Sequence, residues 1–271
     1  MTDRCLPWYA PVPYESFARR IALDFNLRSA DRFFGERVVP GARRVWFVRE
    51  LSWAVGALAL MPELPADTHL KPSPADVSHG IEALASRLAY FALPEGSRGS
   101  SHRRIFGQRA FSRDGEVGPW SFGELSRPEH YVRNTHRIAV TTALRQQALG
   151  LVSGRRFVSM RPVGLGRELA EAFLSQRVGT GDGSPLRRCL RDWIVRGPER
   201  SSAIRSRAHL GTAIGPATPS ADECRVVRDI LFKGNSPALA VRSALATILR
   251  GYEELPSIEG FLVPALISQG R

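Results

Sequence analysis

Apolar positions recur at helical spacing along most of the chain, with Pro and Gly marking the breaks. After an extended lead-in containing Pro7, Pro11 and Pro13, a helix is expected from near Tyr14, with Phe17, Ile21 and Phe25 on one face. Pro40-Gly41 breaks the chain. Trp46, Arg49 and Trp53 then fall at helical spacing, although Arg43 to Phe47 fits a strand equally well. The stretch that follows is apolar on all sides and reads as a buried helix. Ser73-Pro74 is a helix start, a Ser cap with Pro at the first position, and Val77, Ile81, Leu84, Leu88 and Phe91 share a face behind it. Residues 96–118 read as a basic loop rich in Gly, Ser and Arg, with one short strand at Ile105 to Phe111.

Ser126-Arg127-Pro128-Glu129 has the spacing of a capping box and predicts a helix from Pro128 to about Ala148. A Ser153-Gly154 turn, an extended run from Arg155 to Met160 and a short amphipathic helix at Arg167 to Leu174 come next. Gly179 to Pro185 reads as a linker. Beyond it Ser220-Ala221-Asp222-Glu223 is a second capping box, followed by Val226, Val227, Ile230, Leu231 and Phe232. Ser236-Pro237 caps another helix, with Val241, Leu245, Ile248 and Leu249 inward, and a last helix is expected over Ser257 to Ile267.

The order of elements from Tyr131 to Phe173 resembles the second half of a winged-helix domain. Leu149-Gly150-Leu151-Val152 stands where such domains carry a "GLV"-type turn. Gly154 to Met160 stands for the β-wing, and Met160-Arg161-Pro162-Val163-Gly164-Leu165-Gly166 for the "LTPxGxxLA"-type helix entry, with Arg161 in place of Thr and one extra Gly. The implied fold class is mainly α, a multi-helical chain with a central winged-helix-like segment and a short β-hairpin. The corresponding organisation is an N-terminal helical region at 1–120, the winged-helix-like segment at 121–178, a linker at 179–188 and a C-terminal helical region at 189–271.

A second resemblance spans more of the chain. Leu23-Asp24-Phe25-Asn26-Leu27, Arg37 to Phe47 and Trp53 are similar to the "LDPLG…LLPG…RRxRYYSFxxW" opening of uncharacterised helical proteins from bacterial defence islands. Phe25 and Leu27 replace the Pro and Gly of that motif. Leu149 to Val152 and Gly166 to Phe173 match a further piece of those proteins. The resemblance implies a component of an anti-phage or DNA-surveillance system and names no catalytic residue.

Charge narrows the function. The net charge is +12, and the only lysines are Lys71 and Lys233. Arginine codon bias is one source of that ratio, but it does not explain the excess of Arg over acids. A field of this sign attracts phosphate or acidic surfaces, and Arg binds phosphate and guanine bidentately. In the expected helix Arg133, Arg137 and Arg145, with Asn134 and Gln146 as base readers, form the polar face, opposite a core set of Val132, Ile138, Ala139, Leu144 and Leu149. Arg155 and Arg156 arm the wing, and Arg103 and Arg104 lie in the basic loop. The expectation is therefore a non-catalytic nucleic-acid-binding protein, with DNA favoured over RNA and protein partners in a larger assembly. The alternative is a scaffold or adaptor subunit whose basic surface meets an acidic partner, with Trp46 and Trp53 as an anchor if exposed. Arg187 to Arg207, with seven arginines, is a second candidate patch.

Catalytic signatures are missing from the sequence. Neither lysine stands in a phosphate-binding loop or behind a nuclease carboxylate, and Gly164-Leu165-Gly166 lacks a third Gly. Asp24, Asp31, Glu36 and Glu50 are the place to look for an unrecognised enzyme. Cys189, His209 and Cys224 match no zinc-finger spacing and read as structural residues unless they meet in space, and His130 and His136 are a poor ligand pair. No cofactor or metal is expected. The N-terminus lacks the apolar core of a signal peptide, and Leu51 to Leu64 is too short to cross a bilayer, so a cytoplasmic location away from membranes follows as the expectation.

Overall fold

The computed structural model describes residues 33, 35, 36, 38, 41, 45, 47–65, 70–98, 105–179, 183–197, 207–233 and 239–253. The expected helices near Tyr14 and at Ser257 to Ile267, the Ser236 cap, Trp46, Asp24, Asp31, Arg103 and Arg104 lie outside them. The described residues are mainly helical. Their helices are α1 (Val48–Leu60), α2 (Pro74–Phe91), α3 (Gln108–Asp114), α4 (Phe122–Leu125) and α5 (His136–Leu144), then α6 (Leu165–Leu174), α7 (Leu186–Arg196), α8 (Arg207–Ile214), α9 (Ala221–Phe232) and α10 (Leu239–Glu253). Two antiparallel ladders interrupt them: β1 (Val152–Ser153) with β2 (Arg161–Pro162), and β3 (Arg177–Val178) with β4 (Ser184–Pro185). β4 lies in the stretch read as a linker and pairs with β3 just before it. Among the described residues no helix is long and apolar enough to cross a membrane.

The all-round apolarity of α1 has a direct structural use, because the helix serves two cores at once. Trp53, Ala57 and Leu60 face a cluster with Ile81, Leu84, Phe111, Phe122, Trp193 and Ile214. Leu51, Ala54, Val55 and Leu58 face a second cluster with Leu144, Leu151, Met160, Leu169 and Val226. A surface helix needs one apolar stripe; a central one needs two. Close packing of α1 on α6 depends on Gly56, where a Cβ would come within 2.6 Å of the Phe173 ring.

Of the four expected caps, three lie within the described residues, and two of these form as read. Ser73 accepts from the Asp76 N–H and Asp76 reaches back, and Ser220 and Glu223 do the same at α9. The third, Ser126 with Glu129, does not form, and the expected helix from Pro128 to Ala148 is shorter. Ser121 and Glu124 have the same spacing five residues earlier and cap α4 instead, so Ser126 ends that helix. Pro128–His130 then makes a single 3-10 turn, and Tyr131 (φ −143°, ψ −105°) breaks the chain before α5 starts. Three further expectations are corrected. The strand placed at Ile105 to Phe111 is replaced by α3. Ile138, assigned to the core, is 46% exposed. Val241 faces outward; the neighbouring Arg242 is buried instead and donates to the carbonyls of Leu231 and Val38, satisfying an open carbonyl at the end of α9.

Candidate nucleic-acid interface

The segment from α5 to α6 is organised around the β1–β2 hairpin. Val152 pairs with Pro162 and Ser153 with Arg161. Gly154 begins the turn at φ +103°, a left-handed conformation that favours Gly. Arg155 and Arg156 follow, and a 3-10 turn at Phe157–Ser159 closes the loop. Phe157 and Met160 point into the core while Val158 between them is exposed. The run from Arg155 to Met160 is thus a turn rather than the expected extended strand. The Ser159 hydroxyl donates to the Arg156 carbonyl at 3.0 Å, which stiffens the tip. The Gly166 that departs from the winged-helix motif has a packing reason. A Cβ there would collide with the Leu151 carbonyl, so only Gly lets α6 start against β1.

Around this hairpin the arginines stand in solvent. Arg133, Asn134, Arg145, Gln146, Arg155 and Arg156 are exposed, and Arg137 is half-buried. Arg133 and Asn134 belong to the loop before α5 rather than to a helix, and Gln146 to the turn after it. Arg145 donates to the Arg155 carbonyl at 3.3 Å and so joins the end of α5 to the hairpin. The Arg137 guanidinium lies 5.3 Å from the centre of the Phe157 ring, behind the hairpin rather than free for contact. Arg161 and Arg167 bond to the carbonyls of Met160 and Pro162 along the same edge.

What distinguishes this face is the absence of counter-charge. Between Glu129 and Glu168 the chain has no acidic residue and carries Arg133, Arg137, Arg145, Arg155, Arg156, Arg161 and Arg167. Among the described residues none of these seven forms an ion pair, although Arg187, Arg188, Arg196, Arg207 and Arg225 do. In the second candidate patch Arg187 meets Glu63 and Glu171, and Asp192 lies between Arg188 and Arg196. Among the described residues of that patch Arg187, Arg188, Arg196 and Arg207 thus have carboxylate partners, whereas the arginines of the hairpin face have none.

Beneath the face lies a buried polar cluster that the sequence reading did not single out. Glu82, 1% exposed in the middle of α2, accepts from the Tyr131 hydroxyl at 2.9 Å. It also accepts from the backbone N–H groups of His136 at 2.7 Å and Arg137 at 3.2 Å. Those N–H groups open α5, whose Thr135 cap makes no side-chain bond. A carboxylate from another helix therefore serves as the N-cap and sets where the Arg137 turn begins. His136 is stacked on Phe106 at 4.1 Å, and its Nδ1 lies 3.1 Å from the buried Glu50. Burial pushes the Glu82 carboxyl above its ordinary range, opposed by the His136 charge and by its three donors. Burial, with Arg137 nearby, pushes His79 down to about 4. The available signal was composition. From Val77 to Tyr90 the only charged residues are Glu82 and Arg87, a pattern that leaves little room for a solvated face.

Other candidates resolve simply. Glu36 accepts from the Gly41 N–H, and Glu50 is committed to the cluster under α5, with no convergence of acids beyond that among the described residues. Cys189 contacts the Ser184 carbonyl, Cys224 adjoins Glu223, and burial raises both thiols. Among the described residues no group of three His, Cys, Asp or Glu is placed to hold a metal ion. His130 pairs with Asp114. Trp53 is buried, with its indole N–H on the Ile214 carbonyl, and offers no anchor to a partner. No protein-family model, curated protein or solved structure matches this chain.

Proposed function

We propose that the chain is a non-catalytic nucleic-acid-binding protein whose winged-helix-like segment tracks a phosphate backbone with Arg145, Arg155 and Arg156, and with Arg133 at the other end of α5. The observation that carries this reading is the run of seven arginines around one hairpin without a carboxylate partner among the described residues. Like charges at that density repel each other, and a polyanion relieves the repulsion while releasing its own counterions. The nine-residue α5 is about 13 Å long, so Arg133 and Arg145 at its two ends span several charges of a duplex. Asn134 and Gln146, exposed at those same ends, are the groups available to read base edges. The resemblance to helical proteins of defence islands supports DNA surveillance as the setting and DNA over RNA as the ligand.

The test is the salt dependence of binding to a short fluorescent DNA duplex. The Arg155→Glu/Arg156→Glu double variant should bind more weakly, and its log K against log salt slope should fall by about 2, one unit for each phosphate that the two arginines no longer neutralise. An unchanged slope removes the hairpin from the interface. A wild-type protein that binds neither DNA nor RNA even at low salt overturns the reading and leaves the adaptor with an acidic protein partner.

A further inference from the structure

A cleft of about 930 Å³ lies between the C-terminal end of α2 and α8, away from the hairpin. Its walls are apolar and aromatic: Phe47, Phe91, Ile105 and Trp120. Leu88 and Ala89 of α2 and the small residues Ala208 and Gly211 of α8 line it as well. A Cβ built on Gly211 would only touch the Leu88 Cβ at 3.7 Å, so a larger residue there would fit and take up part of the cleft. The volume matches that of pockets for drug-sized ligands.

One wall is electrostatically distinctive. The Trp120 indole is held by its N–H on the Glu116 carbonyl at 2.9 Å, and two guanidinium groups approach its ring, Arg207 at 4.2 Å and Arg87 at 4.7 Å from the centre. Arg87 is fully buried, and its Nε and Nη1 have no hydrogen-bond partner among the described residues. Burial, with Arg207 adding repulsion against the pull of Asp114 and Glu116, pushes its pKa down to about 10, so its charge is retained at neutral pH. Arg207 is 44% exposed at the mouth and meets Glu116 through a single contact of 3.4 Å. A guanidinium has five N–H donors, and among the described residues Arg207 donates one of them, to Glu116.

We propose that this cleft binds a small molecule with a flat apolar body and one anionic group. The body lies along the apolar wall formed by Phe47, Phe91 and Ile105, and the anion is taken by Arg207 in competition with Glu116. This site is independent of the hairpin face and of nucleic-acid binding.

The probes are anilinonaphthalene sulfonate, which is anionic, and N-phenylnaphthylamine, which is neutral, titrated by fluorescence into the full chain. Both should bind saturably at one site. Gly211→Leu should abolish both signals, and so should Ala208→Trp, which closes the same wall from an exposed position should the first variant fail to fold. Arg207→Gln should weaken the sulfonate about tenfold and leave the neutral probe unchanged, and Glu116→Gln should tighten the sulfonate. Saturable binding that survives both filled variants overturns the site. Equal effects of Arg207→Gln on the two probes overturn the anionic class.

Discussion

The Arg49–Glu223 pair offers the sharpest test of how the fold is held. Both side chains are wholly buried and their charged ends are 3.1 Å apart. Glu223 also accepts from the Ser220 N–H at 2.8 Å and from Gln176 at 2.9 Å, joining α9 to α1 and to the end of α6. Arg49 further donates to the carbonyls of Ala213 and Thr218. Burial pushes the Arg49 pKa down and the Glu223 charge opposes that shift, so the carboxylate is what stabilises a cation in this buried position. Glu223→Ala removes the partner and leaves the cation in place. Breaking a buried pair in this way costs about 3–5 kcal/mol, and the two carbonyls retained by Arg49 put this case near the lower end. Loss of the Glu223 bond to the Ser220 N–H adds about 0.5–1 kcal/mol, the Ser220 side of the box being retained, for a total of about 4 kcal/mol. In urea this is a midpoint shift on the order of 2 M. Arg49→Met/Glu223→Ala should be less destabilised than the sum of its single variants, with a coupling of about 2 kcal/mol or more. A loss below about 1 kcal/mol for Glu223→Ala, or strict additivity in the cycle, would refute the reasoning.

Two further outcomes follow from other buried contacts. The Glu82 pKa is raised in the folded chain above its ordinary 4.5, so its contribution to stability is full below that value and is lost as pH rises through the raised value. Glu82→Gln should therefore gain on the wild type as urea unfolding is repeated from about pH 5 to about pH 8; a gap moving the other way contradicts the assignment. Gly166→Ala forces a Cβ onto the Leu151 carbonyl and should cost about 2 kcal/mol or more, with weaker DNA binding because the hairpin must shift. Unchanged thermal unfolding would show that α6 does not depend on that close approach.

Several elements were legible because their causes lie within a few residues. The Ser73 and Ser220 boxes, the Gly154 turn and the apolar run of α1 each depend on short-range spacing or on local φ. The same logic misplaced α5, because two boxes of equal spacing compete between Ser121 and Glu129, and neither stretch contains the rule that chooses. The start of α5 is decided by Glu82, more than fifty residues away in the chain. The arginines of the candidate face were readable as residues. Which of them lack carboxylates was not, since Arg187 finds Glu63 and Glu171 only after folding.

By itself, then, the sequence determined the helical runs of α1, α2, α6 and α9, where the hairpin turns and that the chain is strongly basic, because periodicity, caps and net charge are local or additive properties. The tertiary structure decided which charges are buried, which are paired and which face solvent, and where a cleft stays open. Those outcomes depend on desolvation and on distances between helices, and neither is written in the spacing of residues along one chain.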